Sequence, residues 1–252
     1  TIFHLSDLTY ISWDAKDSWV SDSYYWLFFN IALCNEFLRH CSDEEIARFS
    51  EAEQTEIRTF RSEARFMRSF SYWMVLDLYR QGPKVDENTP VIGYIPEAYD
   101  GIGMFDFIES ELRDVCLVAL PSKIGQSGNG GQQGQFTKAG AAALLVRLYL
   151  NAEKWIGQPK WQECIDMCER ITGGEFGYYA IANNWYEPFD WNNEMCNEVI
   201  LGFPGSYGLT SWHLQNDKRT VYGRALPYGC EKYLKIEGNG SRNPKYALSP
   251  SY

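Results

Sequence analysis

Glu63-Ala64-Arg65-Phe66-Met67-Arg68 decides the fold of this 252-residue chain, because the stretch lies inside one long amphipathic pattern. Ser50 and Glu53 form a capping-box pattern ahead of it, and Gly82-Pro83 follows it as a stop signal. Apolar residues recur between these signals at every third or fourth position, which predicts one helix from Ser50 to about Arg80. The apolar face expected for this helix consists of Ile57, Phe60, Ala64, Met67, Phe70, Met74 and Leu78.

Four further segments show the same helical periodicity. They are residues 22–41, 105–119, 138–151 and 161–171. The 138–151 segment is rich in Ala and apolar on nearly every side, so we expect it to be buried. Helix pairs joined by loops predict a mostly α protein, with a tetratricopeptide-like helical scaffold over residues 1–172.

The character of the chain changes after Thr172. Residues 173–252 are rich in Gly, Asn and aromatic side chains, which predicts a loop-rich, irregular region packed on the scaffold. One short strand is expected at Glu198–Phe203. The two regions are expected to form one structural domain that is incomplete at both ends. The Gly-rich stretch 125–134 lacks the Lys-Ser/Thr of a phosphate-binding loop, so nucleotide binding is not expected.

The composition excludes several classes of partner. The chain has 23 basic and 33 acidic residues and a formal net charge of −10. Such a charge does not favour the phosphates of nucleic acid or electrostatic docking on anionic lipid. The sequence also contains no apolar run near the about 18–20 residues that span a bilayer. We therefore expect no nucleic-acid partner and no membrane-spanning segment.

Catalytic and metal-binding patterns are missing from the sequence as well. The seven cysteines are scattered through predicted helices, as is typical of small buried side chains. The three histidines do not bracket a CxxC pair, so no zinc site is predicted. No Ser-His-Asp or nucleophilic-Cys pattern occurs, and carboxylate pairs are too common to assign glycosidase residues. We expect a protein without catalytic residues, cofactor or bound metal.

Glu63 occupies an unusual position in the long helix. At about 100° per residue it falls in the middle of the apolar arc, between Phe60 and Met67. Arg147 stands in the same way among the apolar residues of the 138–151 segment. Because a lone buried charge is costly, each side chain needs a partner. We expect a structural ion pair between Glu63 and Arg147, the alternative being that each reaches solvent or backbone groups.

Several blocks of the sequence together resemble the SusD/RagB family. Its signature helix and exit are similar to residues 63–73 and 78–85, and the blocks that follow agree in order and spacing. These further blocks are residues 105–121, 136–150, 161–164, 184–189 and 197–201. The resemblance covers roughly residues 20–205. The family's leader with its lipidated Cys and its long C-terminal half are missing here, so the chain is expected to be a partial member.

The resemblance implies both a fold and a function. The family has a tetratricopeptide-like scaffold and consists of surface-exposed outer-membrane lipoproteins that bind oligosaccharides or polysaccharides without catalysis. Its members work with a SusC-like TonB-dependent transporter in nutrient uptake. Contact with the membrane would be only through a lipid anchor that is missing from this chain. The alternative function is a helical-repeat scaffold that binds a protein or peptide and has no sugar site.

A glycan site requires flat aromatic faces beside carboxylate or amide groups. Trp13 and Trp19 satisfy this requirement, since they lie beside Asp14 and Asp17 in the segment ahead of the first predicted helix. The resemblance supports this choice, because binding aromatics in the family commonly come from such loops. These residues are therefore predicted to contact the glycan.

The remaining tryptophans divide by their surroundings. Trp212 lies in a polar stretch and Trp191 lies among Asn and Asp residues, so both are further glycan candidates. Trp185 falls in a block that resembles a structural element of the family, and its burial is expected. Four tryptophans lie in apolar stripes and are expected in the core: Trp26, Trp73, Trp155 and Trp161.

Overall fold

The N-terminal helices follow the predicted pattern. A computed structural model describes residues 10–123, 135–189, 193 and 196–203 of the chain. The helices are α1 (Ser18–Arg39), α2 (Asp43–Ile46) and α3 (Glu51–Tyr79). At the start of α3, Glu53 Oε2 accepts hydrogen bonds from the Ser50 backbone N–H at 2.9 Å and from the Ser50 hydroxyl at 2.6 Å. The capping box and the long helix are thus confirmed, and α3 ends at Arg80 with a left-handed φ of 68°.

A short connector joins α3 to the next helices. Strands β1 (Gly82–Pro83) and β2 (Ala98–Tyr99) pair antiparallel, with Gly82 opposite Tyr99. They are followed by α4 (Gly101–Ser110), a π-helical turn (Glu111–Cys116) and α5 (Leu117–Ala119). The predicted helix over 105–119 is therefore present, but it begins earlier and contains a wider turn at its centre.

The last helices are also close to their predicted bounds. They are α6 (Lys138–Leu150), α7 (Ala152–Ile156) and α8 (Trp161–Thr172). Thr137 caps α6, because its hydroxyl oxygen accepts a hydrogen bond from the Gly140 N–H at 3.3 Å. A short 3₁₀ turn follows at Glu187–Phe189. Within the described residues the protein is mostly helical, as predicted.

The helices pack as a series of hairpins. The Tyr79 hydroxyl donates to the Val20 carbonyl at 2.7 Å, and Asn30 Nδ2 donates to Ser71 Oγ at 2.6 Å. These contacts show that α1 runs antiparallel to α3. Helix α6 packs against α8, and α4 with its π-helical turn packs between α3 and α6. This arrangement is the tetratricopeptide-like scaffold that was expected.

The core lies between these hairpins. Its fully buried apolar side chains include Ile31, Phe66, Tyr72, Val75, Leu76, Met104, Phe105, Ile108, Leu112, Leu145 and Leu148. Most residues of the Ala-rich helix α6 are buried, which confirms the expectation for that segment. The described cysteines are also buried, except for the exposed Cys168. Burial raises the pKa of the Cys34 thiol to about 11, so this thiol is inert at neutral pH.

The buried face of α3 differs from the predicted one. Phe60 and Leu78 are 45% and 57% exposed, although both were expected in the core. The face that enters the core instead carries Ser62, Phe66, Arg68, Ser69, Ser71, Tyr72, Val75 and Leu76. The helix packs against α1 on one side and α4 on the other. Small serines allow this close approach, so the contact face is rotated away from the most hydrophobic arc.

An ion cluster of Arg65, Arg68, Glu87 and Glu111 holds the connector onto the helices. Arg65 Nη1 donates to Glu111 Oε1 at 2.8 Å, and its Nη2 donates to Glu87 Oε1 at 2.9 Å. Arg68 Nη2 donates to Glu111 Oε2 at 2.8 Å, and Arg68 Nη1 donates to Glu87 and to Asn35 Oδ1. The side chain of Arg68 is only 1% exposed. The cluster thus joins α1, α3, the connector and the π-helical turn.

The predicted ion pair between Glu63 and Arg147 is wrong. Arg147 is exposed, and its guanidinium lies 5.8 Å from the centre of the Trp73 ring. Glu63 Oε1 instead accepts a hydrogen bond from the Phe136 backbone N–H at 3.3 Å. The described residues contain no ion pair between the two side chains. The alternative expectation therefore applies: the Arg147 side chain reaches solvent, and the Glu63 carboxylate binds a backbone group.

The segment after α8 is attached by a buried lysine. Lys123 Nζ donates to the Tyr178 carbonyl at 2.9 Å and to Asn197 Oδ1 at 3.0 Å, and it lies 4.5 Å from the Tyr179 ring centre. The predicted strand at Glu198–Phe203 is wrong, because residues 198–203 form a turn and irregular backbone. No partner strand for them is present in the described part of the chain, and a strand requires such a partner. The predicted division into regions 1–172 and 173–252 stays a prediction.

Candidate functional site

The Trp13 loop lies directly ahead of α1. Trp13 is 45% exposed, and the neighbouring Asp14 is exposed as well. Asp14 Oδ1 accepts a hydrogen bond from the Lys16 N–H at 2.8 Å, and its carbonyl accepts one from the Asp17 N–H at 3.1 Å. These local bonds hold the loop in a tight turn. An exposed indole and an exposed carboxylate are therefore carried by consecutive residues of this turn.

The other residues that were predicted to contact glycan lie at the start of α1 or outside the described residues. Asp17 is 7% exposed, and its carbonyl accepts the Ser21 N–H at 3.0 Å, so it belongs to the start of α1. Its burial leaves Asp14 as the more accessible of the two predicted carboxylates. Trp19 lies in the first turn of α1. Trp191 and Trp212 lie outside the described residues, and their contact with glycan stays a prediction.

The tryptophans expected in the core are only partly buried. Trp155 is 8% exposed, as predicted, and Trp73 is half-buried. Trp26 and Trp161 are 62% and 46% exposed, and Trp185 is 83% exposed, so the expected burial of these three is wrong. The exposure of Trp26 follows from the sequence of α1. Apolar residues occur on all sides of this helix, but only one side faces α3. Periodicity alone does not show which side this is.

Trp26 lines a groove between α1 and α3, which we call the α1/α3 groove. The groove has a volume of about 580 Å³. Its lining residues are Asp22, Ser23, Trp26, Leu27, Asn30, Met67, Phe70, Ser71, Met74 and Leu78. Sequence reasoning missed this groove because it placed Trp26 in the core. The available signal was the presence of Asp22 and Asn30 four residues before and after Trp26, on the same helix face.

Among the described residues, no cluster of three or more His, Cys, Asp or Glu side chains is positioned to hold a metal ion. None of the helices in the same part of the chain combines the length and the apolar character that crossing a bilayer requires.

The chain is similar to known proteins in sequence and in fold. Over 204 residues it is 26% identical to the starch-binding protein SusD of Bacteroides thetaiotaomicron, a match that covers 78% of this chain and 33% of SusD. Its fold is similar to surface glycan-binding protein A from Bacteroides uniformis, with a TM-score of 0.64, 18% identity, and coverage of 79% of this chain and 41% of the other. A SusD superfamily protein from Bacteroides vulgatus gives a TM-score of 0.64 at 18% identity, covering 80% and 40% of the two chains. No protein-family model matches the chain.

The stacked hairpins define the class of protein as a tetratricopeptide-like helical scaffold. The sequence match to SusD, together with the fold shared with SusD-like structures, supports the predicted resemblance to the SusD/RagB family. The predicted resemblance is therefore confirmed. The chain spans about a third of the length of the curated relative that it matches, 33% of SusD.

Proposed function

We propose that this protein binds glycans at the cell surface and performs no catalysis. The observation that carries the proposal is the match to the starch-binding protein SusD, which extends over 78% of the chain. The fold adds support, because similar folds occur in a surface glycan-binding protein and in a laminarin-binding SusD-like protein. The exposed indole of Trp13 beside Asp14 provides the kind of surface that a sugar ring requires.

The proposed role has a cellular setting. The protein is a surface-exposed outer-membrane lipoprotein of a SusCD-like nutrient-uptake system, in which it captures an oligosaccharide or polysaccharide. It passes the sugar to a SusC-like TonB-dependent transporter, and a lipid anchor attaches it to the membrane. The test is co-purification of the native lipoprotein with the transporter from outer membranes. Recovery of the lipoprotein without any transporter would contradict the proposed partnership.

The proposed glycan contacts are made by aromatic and acidic side chains around the Trp13 loop. Exposure supports Trp13 and Asp14 in this role, since both side chains are exposed and the two residues are adjacent in the chain. Trp19, Asp17, Trp191 and Trp212 complete the proposed set. Each indole would stack on the C–H face of a pyranose ring, and each carboxylate would accept hydrogen bonds from its hydroxyls.

Isothermal titration calorimetry with a panel of neutral oligosaccharides tests this proposal. The panel contains maltoheptaose, laminarihexaose, xylohexaose and mannohexaose, and we expect at least one of them to bind. Trp13→Ala should weaken the best ligand about 5- to 10-fold, which corresponds to about 1–1.4 kcal/mol. The control is Trp161→Ala, because Trp161 is similarly exposed at 46% but lies on α8.

The possible results separate function from site. If no oligosaccharide binds the wild-type chain, glycan binding by this chain is wrong. If an oligosaccharide binds but Trp13→Ala and Trp161→Ala have the same affinity as the wild type, the Trp13 loop is not the site. A loss that is confined to Trp13→Ala supports both parts of the proposal.

One observation favours the alternative function, a helical scaffold that binds a protein or peptide. Tyr25, Phe29, Leu33 and Phe37 form a row along α1 and are each at least 40% exposed. A row of exposed apolar side chains on one helix face is typical of protein interfaces. Replacing Leu33 and Phe37 by Ser would abolish such an interaction and leave glycan affinity unchanged. Size-exclusion chromatography with light scattering, alongside the calorimetry, distinguishes the two functions.

A further inference from the structure

The α1/α3 groove combines apolar and polar groups within a volume that suits a small ligand. Small-molecule sites commonly have volumes of about 300–1,000 Å³, and this groove has about 580 Å³. Met67, Phe70, Met74 and Leu78 from α3 form an apolar wall. The α1 wall opposite carries the polar and aromatic groups. The groove is therefore amphipathic across its width.

The ring of Trp26 is held in place but is not buried. Its centroid lies 5.6 Å from the centroids of both Tyr25 and Phe29, at interplanar angles of 76° and 90°. Edge-to-face contacts of this kind fix the orientation of an aromatic ring. Because Trp26 is still 62% exposed, it offers a flat apolar surface that is already ordered before any ligand arrives.

Polar groups flank this ring along the helix. Asp22 and Asn30 lie four residues before and after Trp26, which is a rise of about 6 Å in each direction. Asp22 is exposed, and its carboxylate accepts hydrogen bonds. Asn30 uses one N–H in its bond to Ser71 Oγ at 2.6 Å, and its second N–H and its Oδ1 remain for a ligand. The Ser71 bond also fixes the position of the Asn30 amide.

We propose that the α1/α3 groove is a binding site for a neutral oligosaccharide, with a pyranose ring stacked on Trp26 and its hydroxyls bonded to Asp22 and Asn30. The proposal rests on the proposed glycan-binding function and places a site of that function away from the Trp13 loop. A pyranose ring has an apolar C–H face and a rim of hydroxyls, so it needs an aromatic surface and polar groups at the same place. The groove supplies both.

Charge selects a neutral sugar over an acidic one. Asp22 is the charged residue among the described residues that line the groove, and it is negative. The whole chain has a net charge of −10. Carboxylate or sulfate groups on a polysaccharide would be repelled by this field. The groove therefore favours neutral glycans over uronic-acid and sulfated glycans.

The polar wall also argues for a sugar over a docked protein helix. A helix that buries an apolar stripe in a groove would cover Asp22 and Asn30 and remove them from water. Burying polar groups without new hydrogen bonds costs about 1–3 kcal/mol for each group. Sugar hydroxyls replace those lost bonds, whereas apolar side chains do not.

Calorimetry on the full 252-residue chain tests the inference with the same neutral panel and with tri-galacturonate as the acidic probe. We expect Trp26→Ala to weaken the best neutral ligand about 10-fold or more and Asp22→Asn to weaken it about 3- to 10-fold. Trp161→Ala, the control from α8, should stay within about 2-fold of the wild type, a difference below about 0.5 kcal/mol. Tri-galacturonate should not bind. Circular dichroism melting checks that each variant is folded.

Each other result overturns the inference in a distinguishable way. If a neutral oligosaccharide binds and Trp26→Ala keeps both the affinity and the binding stoichiometry of the wild type, the groove is not a site, although the proposed function stands. If no oligosaccharide binds the wild-type chain, the proposed function fails and the inference fails with it. If Trp26→Ala instead changes the mass of the chain in light scattering, the groove is a self-association surface. Tight binding of tri-galacturonate would refute the neutral class.

Discussion

Arg68 is the residue whose replacement tests the architecture most directly. Its side chain is 1% exposed and bonds Glu87, Glu111 at 2.8 Å and Asn35 at 2.7 Å. Arg68→Met keeps most of the side-chain volume, so the change removes charge and hydrogen bonds and creates little cavity. The variant therefore measures what the ion cluster contributes to stability.

The expected loss of stability depends on the ion pairs that remain in the Arg68→Met variant. Removing one partner of a buried ion pair commonly costs about 3–5 kcal/mol. Arg65 still bonds Glu111 at 2.8 Å and Glu87 at 2.9 Å, so neither carboxylate is left alone. We therefore expect the low end of that range, about 3 kcal/mol. For a chain of this size, each kcal/mol lowers Tm by about 2–4 °C, so Tm should fall by about 6–12 °C.

The loss should also depend on pH. Burial alone would raise the pKa of Glu87, but its hydrogen bond to Arg68 and the charge of Arg68 lower that pKa below its usual value. A carboxyl whose folded pKa is lowered adds stability above the unfolded pKa of about 4.3 and loses it as the pH falls further. The difference between wild type and Arg68→Met should therefore be full at pH 7 and shrink below about pH 4.

Urea and thermal unfolding, followed by circular dichroism, measure these differences. The matched control is Arg113→Met, because Arg113 pairs with Asp114 at 2.8 Å while 51% exposed. Exposed pairs contribute about 0–1 kcal/mol. In the double variant with Glu111→Gln, the loss should be smaller than the sum of the single losses by about 0.5–3 kcal/mol. The reasoning is refuted if Arg68→Met costs no more than Arg113→Met.

Three further substitutions follow from local geometry. Gly177 has φ +122°, and a Cβ there would lie 2.6 Å from Lys123 Cβ, so Gly177→Ala should lower the free energy of unfolding by about 2–3 kcal/mol. Gly157 has φ +73° with open space around it, so Gly157→Ala should lower it by only about 1 kcal/mol, as measured by urea titration. Lys123→Met removes two hydrogen bonds to residues after α8 and should cost about 2 kcal/mol, whereas a change at the exposed Lys154 should cost under about 0.5 kcal/mol. Burial raises the pKa of Glu63 despite its bond from a backbone N–H, so its ionisation opposes folding as the pH rises through that pKa. Glu63→Gln should therefore raise Tm at pH 7 but not at pH 4, and equal effects at both pH values would contradict this.

The helices were predictable because their signals are local. Ser50 with Glu53, and Thr137 ahead of α6, identify helix starts through bonds that reach only three residues. Gly82-Pro83 marks the end of α3 because Pro cannot continue a helix. Five helical segments, the mostly α fold and the resemblance to the SusD/RagB family were all correctly inferred from such signals and from the order of the blocks.

The candidate sites were less predictable, because exposure depends on neighbours. The Trp13 loop could be found from an indole beside a carboxylate in a polar stretch. The α1/α3 groove could not, since periodicity shows that α1 is apolar on all sides without showing which side meets α3. Trp26 was for that reason predicted to be buried, and it is 62% exposed.

The sequence by itself thus determined the helices and the mostly α fold, since capping and periodicity act within a few residues. Only the tertiary structure decided which charges are buried and which aromatic rings remain exposed. Arg68 has partners 19 and 43 residues away in the chain, on the connector and the π-helical turn. Glu63, on the same helix, lies in the apolar arc and found a backbone N–H in place of Arg147. The physical reason is that burial is a property of packed surfaces, and packing joins residues that the linear pattern does not relate.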